Sequence, residues 1–180
     1  ALLSRETFAE LAALAPRTRF VFILRDPVDR LWSAIRMMAD DGENSDEAFH
    51  ARALDRSRQF QNRRLTRHAH RSNYVRTIEE LEAAVPPENI LYLFYETLFR
   101  PESLEALARF LGIRPIAADF DSRSNSGRSL PLGRAEAARL YAGLADIYAF
   151  AARRFGPALP ERWRARMAEF GGAEPAEAPL

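Results

Sequence analysis

The chain has 180 residues, 47% of them hydrophobic, and a formal net charge of +1. Length and apolar content suit one domain around a single core, and the small net charge excludes a global field that would gather nucleic acid or an anionic membrane, so any anion site must be local. There is no Cys, which excludes disulfides and thiolate metal sites; no apolar run approaches a membrane span, no secretory leader is visible, and a cytoplasmic protein is the expectation.

The first predicted element is a helix from Ser4 to Leu14, with Phe8, Leu11, Ala12 and Ala15 on one face and Thr7 with Glu10 as a capping box. Pro16 ends it. Phe20 to Leu24 is an unbroken apolar run, the pattern of a strand buried on both faces in a parallel sheet. The period then switches abruptly. Asp26 is a good N-cap, and Pro27 at the first helical position gives up an N–H that has no intrahelical partner. The helix that follows runs to near Asp40 and is amphipathic, with Val28, Leu31, Trp32, Ile35 and Met38 on one face and Asp29, Arg30, Ser33 and Arg36 on the other.

A parallel strand that hands over to a helix puts its carboxyl end at the ligand edge of an open α/β sheet, and Arg25 sits there. Ser33 follows eight residues later, in the second turn of the helix, and helical side chains lean toward the N-terminus. A guanidinium fork, a hydroxyl and a helix N-terminus at one place suit a phosphate monoester. The same residues admit a plainer reading, in which Arg25 pairs with Asp29 and Ser33 is a surface serine.

Beyond the helix, Asp40 to Glu47 reads as a solvated acidic loop, because its carboxylates lack calcium-loop spacing. Glu47 to Arg64 is a predicted helix with Phe49, Ala53, Leu54 and Phe60 as its apolar positions. The Arg-rich run from Arg52 to Arg71 is either a solvated face or a surface for an anionic acceptor, and His68 and His70 within it read as surface histidines rather than metal ligands. Ser72 or Asn73 caps a helix through Val85 whose buried face is Tyr74, Ile78, Leu81 and Val85; Pro86 and Pro87 stop it. Ile90 to Tyr95 is a second strand, with Glu96 at its carboxyl end. Pro101 opens a helix through Leu111 that Gly112 closes. Two strands each followed by a helix define an α/β class. Ile113 to Gly133 is a loop in which Asn125-Ser126-Gly127-Arg128 offers backbone N–H groups and a cation. A single helix from Arg134 to Phe155 follows, then a short one bearing Trp163. Residues 1–170 are read as one domain and 171–180 as a disordered tail.

The string LRDPVDRLWSAIR resembles the 3'-phosphate-binding segment of sulfotransferases that use 3'-phosphoadenylyl sulfate (PAPS). SNYVRTIEELEAAVPPENILYLFYETLFRPESLEALARFLGI is similar to the helix, strand, Tyr-Glu pair and following helix of the same family. The likeness covers Arg19 to Ile113, and more loosely reaches Gly156. It implies a P-loop-like three-layer sandwich with a parallel sheet, transfer of a sulfuryl group from PAPS to a hydroxyl or amine, and PAP as product without a metal. The acceptor is expected to be a carbohydrate or other small molecule, with neither nucleic acid nor membrane as partner. Carried over residue by residue, it makes Arg25 and Ser33 ligands of the 3'-phosphate, places Tyr74 along the nucleotide, and likens the segment around Arg128 to the loop that closes over it.

The family's first strand, its Gly-rich and Lys-containing loop for the 5'-phosphosulfate and its Glu or His base have no counterpart here: Gly is absent before Gly42, and all 26 Lys and Arg residues are Arg. The chain also opens on Ala rather than Met. The catalytic residues, first strand and loop are therefore expected upstream of Ala1, and the chain alone is expected to transfer nothing. The Arg and Ala richness suggests a bacterial source with a GC-rich genome. Two rival readings stay open, a nucleotide-binding scaffold that kept the 3'-phosphate pocket without catalysis, and a P-loop kinase relative that handles another nucleotide.

Overall fold

A computed structural model describes residues 3–42, 45–61, 71–115, 118–120 and 127–172. His68, His70, Asn125 and Ser126, much of the Arg-rich run and the tail from 173 lie outside the described residues. In chain order the elements are α1 (Arg5–Ala13), β1 (Phe20–Leu24), α2 (Pro27–Ala39), α3 (Asp46–Gln61), α4 (Tyr74–Glu82), β2 (Ile90–Phe94), α5 (Tyr95–Leu98), α6 (Pro101–Leu111), α7 (Arg134–Ala142), α8 (Ala145–Phe155) and α9 (Glu161–Phe170). They fall into two compact units, Ala1–Arg25 with Asn73–Asn125, and Asp26–Ser72 with Ser126–Leu180.

In the first unit β1 and β2 pair in parallel, from Phe20 opposite Ile90 to Leu24 opposite Phe94. This is a mixed helix and strand arrangement of the α/β class, with a two-stranded sheet among the described residues. One face of the sheet carries Phe20, Phe22 and Ile90, which pack with Phe8 and Ala12 of α1 and with Leu81, Ala84 and Val85 at the end of α4. Burying this cluster removes apolar area from water at about 25 cal/mol per Å², which holds the two helices to the strands. The opposite face corrects the expectation of a strand buried on both sides: Val21 is 36% and Ile23 46% exposed. Side chains alternate along a strand, so a uniform apolar run does not reveal which face is covered.

Local capping sets the helix ends. The Ser4 hydroxyl accepts from the Thr7 N–H at 3.4 Å, so α1 is capped one turn before the predicted Thr7–Glu10 box, which does not form its start. Asn73 rather than Ser72 caps α4, accepting from the Arg76 N–H. That helix stops at Glu82, short of Val85, although the Val85 N–H still reaches the Leu81 carbonyl at 2.9 Å. β2 ends at Phe94 because Tyr95 already belongs to α5. Gly112 closes α6 in the left-handed region at φ 71°, which lets the Ile113 N–H turn back to the Ala108 carbonyl at 3.0 Å. The Arg19 guanidinium bonds the Phe110 carbonyl and lies 5.5 Å from that residue's ring, tying the end of α6 to the start of β1.

The second unit is helical. α2 buries Val28, Leu31, Trp32, Ile35 and Ala39, and packs with α3, whose Phe49, Ala53 and Ser57 are buried. The single helix predicted from Arg134 to Phe155 is two, because the chain breaks at Gly143 and Leu144. Leu144 adopts φ −127°, its N–H bonds the Tyr141 carbonyl, and its own carbonyl accepts from Ile147 to start α8. The break keeps Leu144 buried while re-aiming α8, and Gly is a poor helix former that opposes it little. Leu140, Tyr148 and Trp163 form the centre of this unit, with the Tyr148 and Trp163 rings edge to face at 5.6 Å.

Candidate functional site

Arg25 follows the last residue of β1, and Tyr95 follows the last residue of β2, so the parallel register sets them side by side at the carboxyl end of the sheet. The Arg25 guanidinium lies over the Tyr95 ring, 4.6 Å from its centroid. Tyr95 is itself edge-on to Phe99 at 5.3 Å, and both rings are exposed. From α4, the Tyr74 hydroxyl donates to the Arg25 carbonyl at 2.8 Å and accepts from the Arg25 N–H at 3.4 Å. The Tyr74 ring is in turn edge-on to Phe22 of β1 at 6.0 Å. Backbone and side chain of Arg25 are thus each held by a different tyrosine. Among the described residues no carboxylate forms an ion pair with this guanidinium, which leaves its fork available to an anion.

In the second unit Asp26 caps α2, its carboxylate accepting from the Asp29 N–H at 2.9 Å. Asp29 is taken by two cations from α9: Arg162 donates to it at 2.9 and 3.2 Å, and Arg166 at 2.8 Å. Arg166 also lies 3.5 Å from the Asp26 carboxylate. The Tyr148 hydroxyl accepts from the Val28 N–H at 3.3 Å, closing the first turn of α2 from the α8 side. Burial drives the Asp26 carboxyl up from 3.8 to about 6, against the pull of the Arg166 charge and the Asp29 N–H. Burial acts on Asp29 in the same direction, but the Arg162 hydrogen bond and the charges of Arg166 and Arg162 outweigh it and hold that carboxyl below its usual range. For Tyr148, burial and the neighbouring Asp26 charge push the phenol well above its ordinary value, so it stays protonated. Asp29 therefore has its own partners within the second unit, Arg162 and Arg166. Ser33, on the next turn of α2, is half-buried.

Arg128 lies in the segment that precedes α7, which is tied to α2 by two hydrogen bonds. Its carbonyl accepts from Arg36 at 3.0 Å, and the Leu130 carbonyl accepts from the Trp32 indole N–H at 2.9 Å. The Arg128 guanidinium is paired with Asp46 and, at 3.7 Å, with Asp40, and it sits 4.6 Å from the Phe49 ring. The Arg128 bond holds the Asp46 carboxyl below its usual range. Of the four residues singled out from sequence, the first unit brings Arg25 and Tyr74 together, while Ser33 and Arg128 belong to the second. Tyr95, Arg162 and Arg166 were missed. For Tyr95 a signal existed, since it stands at a predicted strand end; the two arginines lie in an Arg-rich helix with nothing local to single them out.

Among the described residues, no group of three His, Asp or Glu is placed to hold a metal ion, and no helix is long and apolar enough to cross a membrane. The model of the sulfotransferase family matches residues 5–117, from the start of α1 to just beyond α6. That is more than half of the chain, and the chain belongs to the sulfotransferase family, a family of transferases. Compared with curated proteins, it finds no significant match. Arg25, Ser33 and Tyr74 fall inside the matched segment; Arg128, Arg162 and Arg166 lie beyond it.

Proposed function

We propose that this chain is the nucleotide-binding part of a PAPS-dependent sulfotransferase of P-loop-like fold, in which Arg25 and Ser33 hold the 3'-phosphate of PAPS and of the product PAP. The observation that carries the reading is the state of Arg25. It ends a parallel strand, its backbone is fixed by Tyr74, and its guanidinium rests on an aromatic ring rather than in an ion pair among the described residues. Family membership supplies the reaction class, sulfuryl transfer, for which PAPS is the general donor. Such chemistry depends on in-line positioning and on stabilising charge at the bridging oxygen, so a rigidly held 3'-phosphate serves by fixing the donor. The acceptor in this reading is a hydroxyl or amine of a carbohydrate or other small molecule.

The test is calorimetry with PAP, 5'-AMP and 5'-ADP. The chain should bind PAP tightest, and Arg25→Ala should weaken PAP by roughly ten- to a hundredfold, since a charge-assisted hydrogen bond contributes about 1.5–3 kcal/mol. Ser33→Ala should cost about tenfold or less. Arg25→Lys should restore only part of the affinity, because a point charge does not reproduce a bidentate fork. Equal losses for PAP and 5'-AMP, or a preference for 5'-ADP, would move the 3'-phosphate elsewhere and favour a kinase-like nucleotide.

A further inference from the structure

The segment that matches the family stops at residue 117, yet the first turn of the motif helix is completed by residues more than forty positions further on. We propose that Arg162 and Arg166 of α9 are positioning residues for 3'-phosphate binding: they fix the first turn of α2 through Asp29 and Asp26 and cancel the negative charge that these two carboxylates would otherwise set at the helix N-terminus. The inference rests on the 3'-phosphate reading above.

Geometry and charge both point this way. Asp26 and Asp29 are two anions within the first turn of the helix that carries Ser33, where an incoming phosphate would meet them as like charges. Asp26 serves as the cap, so it is not dispensable to the helix. Two arginines answer the two aspartates. Arg166 reaches both, lying 2.8 Å from Asp29 and 3.5 Å from Asp26, and only 7% of its side chain is exposed. Arg162 grips Asp29 with two nitrogens in the forked arrangement that fixes orientation as well as charge. The four formal charges sum to zero, so the attraction of the helix dipole for an anion is not cancelled by the two carboxylates. Trp163, fully buried between the two arginines in sequence, anchors α9 against Tyr148, which itself bonds the Val28 N–H. The arginines are thus delivered on a rigid element rather than on a loop.

The experiment compares PAP with 5'-AMP, which lacks the 3'-phosphate, on the full chain and on Arg166→Met, Arg166→Lys and Arg162→Ala. Arg166→Met should lower the ratio of PAP to 5'-AMP affinity by about tenfold, because a buried like charge is uncovered beside the phosphate. Arg166→Lys should recover part of the ratio. Arg162→Ala removes a largely exposed side chain, should leave the chain folded, and should lower the ratio by about threefold. A purely structural role would lower the melting temperature and leave the ratio alone. If Arg166→Met does not fold, Arg162→Ala and Arg166→Lys decide: an unchanged ratio in both overturns the inference. A wild-type chain that binds the two nucleotides equally overturns the 3'-phosphate reading itself, whereas a wild type that prefers PAP with variants that keep the preference overturns only the positioning role.

Discussion

One phenol serves both backbone polar groups of Arg25: the Tyr74 hydroxyl donates to its carbonyl at 2.8 Å and accepts from its N–H at 3.4 Å. Tyr74 is 3% exposed, so the bond it donates is made out of water and its loss would leave the Arg25 carbonyl short of a partner. The residue that the resemblance placed along the nucleotide thus has a second role available, as the brace of the strand end from which the guanidinium projects.

Tyr74→Phe keeps the ring against Phe22 and removes only the hydroxyl. The expected result is a loss of about 1 kcal/mol in unfolding free energy and a weakening of PAP of about threefold to tenfold. Denaturant unfolding and calorimetry on the same preparation check it. A stability loss without any change in PAP affinity would mean that the brace does not bear on the anion.

Tyr95 supports the other end of the same residue. Its ring lies 4.6 Å below the guanidinium, an arrangement that contributes about 0.5–1 kcal/mol where solvent reaches it. Tyr95→Phe should therefore be nearly silent in a PAP titration, and Tyr95→Ala should weaken PAP by about threefold to fivefold while 5'-AMP is less affected. A Phe variant as weak as the Ala variant would show that the hydroxyl, not the ring face, is what matters.

Much of this was legible in the chain because the signals are local. The change from the apolar run Phe20–Leu24 to Asp26-Pro27 marks where a strand ends and a helix starts, and both bounds fall there in the structure. Pro101 and Gly112 bound α6 for equally local reasons. The exposed face at Val21 and Ile23 was not legible, since nothing in an apolar run says which neighbours arrive. Nor was the break at Leu144, where burial of one side chain overrides a continuous helical pattern. The charge arrangement at the head of α2 was not legible for a related reason. Asp29 has Arg25 four residues before it in sequence, but its partners come from 133 and 137 residues away, a separation that no sequence period encodes.

Arg128 carries a further expectation. It is paired with Asp46, an exposed residue, and with Asp40, so it must exchange a carboxylate for a phosphate if its segment serves the nucleotide as the resemblance implies. Asp46→Asn should then raise PAP affinity by about two- to threefold, the modest release expected of an exposed ion pair, and Arg128→Ala should lower it by about tenfold. If Asp46→Asn leaves PAP unaffected and Arg128→Ala only destabilises the fold, Arg128 is a strut between α3 and its own segment.

Asp26 makes the stability of the chain depend on pH with a definite sign. Burial raises its carboxyl from 3.8 to about 6, so between those values the folded chain binds a proton that the unfolded chain has released. Its contribution is therefore most favourable below about pH 4, declines as the pH rises toward 6, and stays at its lowest above that. The interval corresponds to about 3 kcal/mol, with Asp29 working in the opposite sense because its carboxyl is held low. Asp26→Asn isolates the first effect, since Asn still caps a helix and does not titrate. Relative to wild type, the variant should gain stability between pH 4 and pH 7.5 by up to about 3 kcal/mol, read from urea unfolding at the two values. A stability difference between the two proteins that stays constant with pH, or that moves against the variant as pH rises, would mean that Asp26 is ionised throughout and that Arg166 outweighs its burial.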